Sequence, residues 1–440
     1  MRTIETTNPG NRAQQISSDF EKIMRRVVIF FGRILALLFT LLLCLPVILL
    51  PYSTLVSAWV WILLAFADVV LIFLQFRFPL ASIRTLEILG GLILVSFIAI
   101  VASQFFASTP PIKDANDKLI HGSIATLEKV SLNGSQQWIS IRGKAVNKPV
   151  LLFLAGGPGG SQLVTERRAL AGLEDYFLVV NWEQPGAGKS FDAVDRSTLT
   201  PERYISDGLA LVSYLRERFN QEKIYLLGES WGSVLGVWMV QRQPESFHAL
   251  IGTGQMVAFL ENDLMCYNFA IQWAQERGDM KKAAQLQKHG PPPYYGKDVA
   301  IKEAAFLMDT FNYMNANPAI ADDGFNTFQD LASSEYGLYD KLNWFRGALD
   351  TLNIVYPQLW KVDFRTQATE LEVPVYFLIG RHDVNAPPVL TEEYYELLNA
   401  PRKELIWFEH SGHNPWVTES TAFVDVVVNK ILVETYPNGD

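Results

Sequence analysis

The sequence predicts an α/β domain with a helical insertion, preceded by three transmembrane helices. Three observations lead to this fold class. Long apolar runs occur before residue 108, short apolar runs alternate with helical patterns from about residue 118 onward, and residues 255–370 lack strand patterns. Strands that alternate with helices are typical of a largely parallel sheet with helices on its faces.

Composition narrows the classes of function open to the chain. It has 440 residues, a net charge of −9 and 49% hydrophobic residues. The first 84 residues contain four more basic than acidic side chains, so the remainder carries −13, and an acidic domain argues against nucleic acid as a partner. The two cysteines, Cys44 and Cys266, fit neither a disulfide framework nor a zinc site. We expect no metal and no organic cofactor.

Three apolar runs predict a membrane region over residues 1–110. Residues 34–50, 55–74 and 86–107 each approach the ~20 apolar residues that cross a bilayer core. A buried soluble helix would explain one such run, but three in succession favour membrane spans. Asp68, inside the second run, is a functional candidate because a carboxylate is costly there, but we favour the simpler interpretation that it pairs within the helix bundle.

Basic residues predict the orientation of the spans. Arg25, Arg26 and Arg33 precede the first span, and Arg77 and Arg84 separate the second from the third. The positive-inside rule places these segments in the cytoplasm. Three crossings then leave the rest of the chain outside, so we expect an integral protein of the plasma membrane with an extracytoplasmic domain.

The globular part is expected to combine a core with a cap. Asn133-Gly134 joins two alternating segments as a hairpin, and continuous apolar runs follow that suit strands buried on both faces. These runs are residues 150–156, 176–182, 224–228, 249–254, 373–380 and 404–409. We expect the core to comprise residues 111–254 and 371–440, and residues 255–370 to form a helical cap.

A serine between two glycines is the first candidate for chemistry. "GESWG" follows the run at 224–228 and opens a helical pattern, so it predicts a sharp strand-to-helix turn that exposes the hydroxyl of Ser230. A serine needs a base, and the base and its acid should follow the last two strands. Asp383 follows residues 373–380, whereas His410 and His413 both follow residues 404–409. Asp363 is a rival acid, but it precedes its strand.

The motifs "GGPGGS", "NWEQPGAGKSF", "GESWGS", "GRHD" and "SGH" resemble the α/β-hydrolase family. More narrowly, they are similar to its prolyl aminopeptidase-like branch of serine peptidases, from about residue 118 to the C-terminus. The resemblance implies an α/β-hydrolase fold with a helical cap. It also implies a catalytic triad of Ser230, Asp383 and His413, because the histidine of "SGH" is His413.

The glycine loop after the first parallel strand predicts an oxyanion hole. Backbone N–H groups of Trp231 and of Gly156 or Gly157 would hold the negative oxygen of a tetrahedral intermediate. A phosphate-binding loop is the competing interpretation. "GGPGG" lacks the required ending and spacing, and "GAGKS" lacks the upstream glycine pattern.

The resemblance leaves the substrate open. Ala155 stands where prolyl aminopeptidases usually have histidine, "EQPG" replaces "DQRG", and Glu229 precedes the serine. In that branch acidic residues bind the free amine of the substrate, and Glu183, Glu229 and Glu261 are the candidates here. A buried, hydrogen-bonded Glu229 beside the turn is an equal alternative.

We therefore expect a membrane-anchored serine hydrolase, an aminopeptidase that cleaves N-terminal residues from peptides. The alternatives are a carboxylesterase or lipase that acts on small or membrane-derived esters, and an inactive domain that serves as a membrane receptor. The expected partners are a peptide or small-molecule substrate and the lipid bilayer. The sequence leaves the oligomeric state open.

Overall fold

The computed structural model describes residues 9–78, 82–321 and 326–436. The chain divides into two compact units, Met1–Ala107 and Ser108–Asp440. The first unit contains three long helices, and the second contains the sheet, its flanking helices and the cap.

The first unit is a bundle of α1 (Pro9–Ser53), α2 (Ala58–Arg77) and α3 (Ile83–Phe105). Each pair of helices is in contact, and a small core joins them, formed by Cys44, Ile88 and Leu92 with Leu43, Leu71, Ile72 and Leu89 packed around it. All three helices are long and apolar enough to cross a membrane, and they overlap the three predicted spans. Asp68 is buried inside this bundle.

In the described part of the second unit, eight strands form one mixed sheet in the order β1-β2-β4-β3-β5-β6-β7-β8. The strands are β1 (Ile124–Leu132), β2 (Ser135–Gly143), β3 (Val150–Leu154), β4 (Leu178–Glu183), β5 (Ile224–Glu229), β6 (Phe247–Thr253), β7 (Val375–Gly380) and β8 (Lys403–Phe408). The predicted hairpin is confirmed, because β1 and β2 pair antiparallel around Asn133-Gly134. β2 also pairs antiparallel with β4, and the remaining neighbours are parallel.

Alternate residues of the central strands build two separate cores, because successive side chains point to opposite faces of a sheet. Leu152, Leu226 and Leu250 belong to the core on one face. Phe153 and Leu227 belong to the core on the other. Burial on both faces explains why these strands appear in the sequence as continuous apolar runs.

Helices cover both faces. One core includes residues of α5 (Pro201–Phe219), α6 (Trp231–Arg242) and α14 (Pro388–Leu397). The other includes residues of α15 (Pro415–Thr418), α16 (Ser420–Val426) and the π-helical turn Val427–Leu432. Near these are α4 (Leu163–Ala169) and the final turn α17 (Val433–Thr435).

The segment between β6 and β7 is helical in the residues that the structure describes. Its helices are α7 (Phe259–Glu276), α8 (Met280–His289), α9 (Val299–Ala316), α10 (Thr327–Leu331), α11 (Leu338–Arg346), α12 (Leu352–Val355) and α13 (Phe364–Gln367), with a π-helical turn at Gly347–Thr351. α7 packs against α8 and α9. We call this segment the cap.

Candidate active site

The turn at Ser230 has the geometry of a nucleophile elbow. Ser230 adopts φ 52° and ψ −118° between β5 and α6, a backbone conformation that non-glycine residues rarely occupy. The turn needs small neighbours, because a Cβ on Gly232 would overlap the carbonyl oxygen of Leu154. Ser230 is half-buried, whereas Gly228 and Glu229 before it are buried. The hydroxyl therefore stands at the carboxyl edge of the sheet.

Asp383 and His413 meet at the same edge, as their positions after β7 and β8 predict. Nδ1 of His413 lies 2.9 Å from Oδ2 of Asp383, and both residues are buried. The other carboxylate oxygen accepts hydrogen bonds from the backbone N–H groups of Asn385 (2.7 Å) and Ala386 (2.8 Å). These two bonds fix the carboxylate, which in turn fixes the imidazole ring.

The structure distinguishes His413 from the neighbouring His410. His410 is exposed, and its Nδ1 lies 3.3 Å from the carbonyl oxygen of Ala319 in the cap. The rival acid Asp363 caps α13 and pairs with Arg365 at 2.9 Å. Neither residue belongs to the cluster around Asp383.

Glu229 is the second carboxylate beside the imidazole. Its Oε1 lies 3.5 Å from Nε2 of His413, and its Oε2 accepts a hydrogen bond of 2.9 Å from Gln162. Within residues 9–78, 82–321 and 326–436, no hydrogen bond joins Ser230 Oγ to His413. Such contacts are often long in unliganded enzymes and shorten when substrate binds.

Burial and charge act in opposite directions on the titration of these groups. Burial disfavours the imidazolium of His413, but the carboxylates of Asp383 and Glu229 outweigh it and raise the pKa of His413. Burial also raises the pKa of Glu229, against the opposing effects of His413 and Gln162. The two carboxylates therefore stabilise the positive charge that the imidazole of His413 would acquire on accepting a proton.

The glycine loop after β3 lies next to the elbow. A Cβ on Gly156 would overlap Glu229 and lie 3.2 Å from Cβ of Ser230. The N–H of Gly156 donates to Oε1 of Gln162 at 3.1 Å. Trp231 is the first residue of α6, where backbone N–H groups have no partner within the helix.

The other two predicted substrate-binding carboxylates lie in different surroundings. Glu183 is buried and accepts hydrogen bonds from the Ser161 hydroxyl and from the N–H of Lys189, and burial raises its pKa. Glu261 is half-exposed and pairs with Arg365 at 2.5 Å. Of the three predicted carboxylates, Glu229 contacts His413, whereas the contacts described for Glu183 and Glu261 are with other residues.

A buried acidic pair in the cap was missed by the sequence analysis. Asp263 of α7 and Glu303 of α9 are fully buried next to each other. Tyr356 donates to both oxygens of Asp263, at 3.0 and 2.9 Å, and burial raises the pKa of both carboxyls. One signal was available, because Asp263 lies on the buried helical stripe that includes Phe259 and Cys266.

The acidic pair is connected to the loop that carries Asp383. Asn262, next to Asp263, donates to the carbonyl oxygen of Asn385 at 3.0 Å, and the N–H of Asn385 donates to Asp383. In the described part of the chain, no group of three or more His, Cys, Asp or Glu side chains is arranged to hold a metal ion.

Comparison with known proteins agrees with this architecture. A family model described as the alpha/beta hydrolase fold matches residues 149–290. A probable aminopeptidase, YbaC of Bacillus subtilis (strain 168), is 29% identical over 314 residues, which cover 69% of this chain and 96% of that protein. A proline iminopeptidase of Lactobacillus delbrueckii subsp. lactis is 26% identical over 307 residues, covering 68% of this chain and 95% of the relative.

A solved structure has the same fold. The crystal structure of proline iminopeptidase from Mycobacterium smegmatis aligns with a TM-score of 0.50 and 18% identity, over 69% of this chain and 97% of that chain. The second unit is thus an α/β-hydrolase domain with a helical cap, and the predicted fold class is confirmed. Residues 149–290 match the α/β-hydrolase family model, and the chain resembles the prolyl aminopeptidase-like branch, with three apolar helices at its N-terminus that fit an anchor.

Proposed function

We propose that this protein is a membrane-anchored serine hydrolase that removes N-terminal residues from peptides. One observation carries the proposal. A buried aspartate orients a buried histidine at the sheet edge where a strained serine turn also ends. A nucleophile, a base and an acid that orients the base are the parts that acyl transfer requires.

In the proposed mechanism His413 first acts as the base. Its Nε2 takes the proton of Ser230 as Oγ attacks the carbonyl carbon of the substrate. The tetrahedral intermediate collapses when the leaving amine takes this proton from His413, and an acyl-enzyme remains on Ser230. Water then attacks the acyl carbon and gives its proton to His413, which returns one to Oγ as the acid is released.

The negative oxygen of each intermediate needs backbone donors. The N–H of Trp231 suits this role because it opens α6, where the helix dipole also favours negative charge. The N–H of Gly156 already donates to Gln162, so we assign the second donor to Gly157. The two N–H groups would face the oxyanion only when a substrate carbonyl enters the site.

The assignment to peptides rests on relatives and on charge. Two relatives are named as aminopeptidases or iminopeptidases, and a substrate with a free N-terminus brings an ammonium group. Glu229 supplies a buried carboxylate within reach of the reacting atoms, and a carboxylate pairs well with an ammonium. We propose Glu229 as the amine-binding residue among the three predicted carboxylates, ahead of Glu183 and Glu261.

The location follows from the N-terminal unit. Three helices could span a membrane, and the basic residues before the first span and between the second and third favour a cytoplasmic N-terminus. The hydrolase domain would then lie outside the plasma membrane. Its substrates would be extracytoplasmic.

A substrate panel tests the proposed specificity. The full chain is assayed on an aminoacyl p-nitroanilide, on the same compound with an acetylated amine, and on a p-nitrophenyl ester of a short fatty acid. The proposal predicts cleavage of the free aminoacyl compound and little cleavage of the acetylated one. Rapid hydrolysis of the ester without cleavage of either amide would favour a carboxylesterase instead.

A further inference from the structure

Part of the cap exposes large apolar side chains to solvent. Between residues 326 and 349 these are Phe328 (85% exposed), Leu342 (55%), Leu349 (50%), Phe345 (49%) and Tyr339 (41%). Leu342, Phe345 and Leu349 recur every three or four residues along α11 and the following turn, so they share one helical face. Tyr339 lies three residues before Leu342 on the same face, and we call Tyr339, Leu342, Phe345 and Leu349 the cap apolar patch.

Exposed charge stands at the edge of this segment, where Asp192 accepts a hydrogen bond from Tyr339 at 2.8 Å and Asp350 follows Leu349. The three carboxylates of residues 326–349 are all buried and paired with cations outside this segment. Their ion pairs are Asp330 with Arg168 at 3.4 Å, Glu335 with Arg167 at 2.5 Å, and Asp340 with Lys189 at 2.6 Å. The acidic side chains of residues 326–349 therefore add no exposed charge of their own to the patch.

The two cations of the segment are partly buried and contact other protein groups. Lys341 donates to the carbonyl oxygens of Ser333 (3.0 Å) and Tyr336 (2.6 Å), and burial lowers its pKa to about 8. The guanidinium of Arg346 lies 4.1 Å from the ring centre of Phe191. Covering this surface with an apolar medium would desolvate few charged groups, which is the main cost of such contacts.

The chain reaches this part of the cap directly after the third apolar helix. α3 ends at Phe105. The N–H of Ser108 donates to the carbonyl oxygen of Ser334 at 3.1 Å, and the hydroxyl of Ser334 donates back to the carbonyl oxygen of Ser108 at 3.0 Å. Three residues span at most roughly 10 Å. If α3 crosses a membrane, Ser334 must therefore lie close to the bilayer surface.

The patch is also joined to the glycine loop of the candidate site. Nε1 of Trp344 donates to the carbonyl oxygen of Ser161 at 3.1 Å. A Cβ on Gly159 would overlap the carbonyl oxygen of Gly347. A surface that holds the patch would thus lie near the glycine loop.

From these features we propose that the cap apolar patch docks on the lipid bilayer. Exposed apolar patches rimmed by polar residues mark interaction sites, and tyrosine, as at Tyr339, is enriched at the membrane interface. The bilayer is the surface that the patch meets, because only a short tether, from Phe105 at the end of α3 to Ser108, separates an apolar helix from Ser334 of the cap. The inference rests on the proposed anchoring of the chain in a membrane.

Site-specific fluorescence tests the docking. The full chain is placed in phosphatidylcholine nanodiscs, one protein to a disc, and carries an environment-sensitive fluorophore at Leu342→Cys. Both native cysteines, Cys44 and Cys266, are buried, so the unsubstituted chain measures background labelling. The readout is quenching by spin-labelled phosphatidylcholine, compared with quenching by aqueous iodide.

Two matched leucines serve as controls. Leu397→Cys is equally exposed at 54%, but it lies on α14, which packs on β7 and β8. These strands stand at the opposite end of the sheet from β2, whose Arg142 binds Thr109 next to the tether. Leu63→Cys, 59% exposed on α2, reports whether the apolar helices lie in the bilayer.

The inference predicts strong lipid quenching at positions 63 and 342 and little at 397. Quenching at 63 but not at 342 would overturn the docking and leave the anchor intact, whereas no quenching at 63 would refute the anchor itself. A label at 342 that is shielded from iodide yet not quenched by lipid would mean that protein covers the patch, which also overturns the proposal. Phe345→Cys repeats the measurement, so one poorly folded variant does not decide it.

Discussion

Replacing Asp383 by asparagine changes one atom in the candidate site and should nearly abolish activity. Oδ1 of Asp383 accepts two backbone N–H bonds, from Asn385 and Ala386. In Asp383→Asn the amide oxygen must keep that position, because an NH₂ group there would face two donors. The NH₂ group is then directed at Nδ1 of His413, 2.9 Å away in the native structure.

That arrangement forces the wrong tautomer of the histidine. Nδ1 has to accept from the NH₂ group, so the single proton of the neutral ring moves to Nε2, which can no longer accept the proton of Ser230. The same substitution in an established triad of this kind lowers kcat about 10⁴-fold, which corresponds to roughly 5 kcal/mol of activation free energy. We expect a loss of that order with KM little changed.

The assay is kcat on the best substrate of the panel, with Asp363→Asn as the matched control. Asp363 also accepts a backbone N–H, from Arg365, and asparagine is as good a helix cap as aspartate. The control should retain native activity. If Asp383→Asn lost less than about tenfold in kcat, or ~1.4 kcal/mol, the assignment of Asp383 as the acid of the triad would be wrong.

Two further substitutions test the effect of Glu229 on the pKa of His413 and the contribution of the buried Tyr336 hydroxyl to stability. His413 must be neutral to accept a proton, so activity appears as the pH rises through the pKa of His413. Glu229→Gln removes a negative charge that raises this pKa. The acid limb of the profile of kcat/KM against pH should therefore move to lower pH. An unmoved or upward-shifted limb would contradict this role of Glu229. Tyr336→Phe removes a buried hydroxyl that hydrogen-bonds Ser161 at 2.5 Å. This substitution should lower the free energy of unfolding by about 1–3 kcal/mol. Denaturant titration of the full chain in detergent measures the loss. Tyr295→Phe, at an exposed tyrosine, should have no effect, and equal losses in the two variants would argue against a specific contribution from the buried hydroxyl.

The sheet was predictable because its strands are buried on both faces. Each of the predicted runs contains or overlaps a strand, for example residues 224–228 against β5 at Ile224–Glu229. The strand order was not predictable from local pattern, since β3 lies between β4 and β5 and this pairing depends on contacts distant in sequence. The runs indicate which segments are buried, but they do not encode their neighbours.

The candidate site was predictable where its residues follow strand ends. Asp383 and His413 come after adjacent parallel strands, so a shared sheet edge brings them together. The approach of Glu229 to Nε2 of His413 depends on side-chain direction at a strained turn, which sequence spacing does not reveal. The pair formed by Asp263 and Glu303 depends on the packing of two cap helices, so the charge of Asp263 alone did not identify its partner.

The central claim is that Ser230 is an activated nucleophile, and covalent labelling with a fluorophosphonate tests it most directly. The purified full chain and Ser230→Ala are treated with the probe, and intact mass and peptide mapping locate the adduct. Ser233→Ala, at the neighbouring serine whose hydroxyl donates to the Ser230 carbonyl oxygen, is the matched control. The account predicts one adduct, on Ser230, that is present in the control and absent from Ser230→Ala. A folded native chain that remains unlabelled, or an adduct that persists in Ser230→Ala, would contradict it.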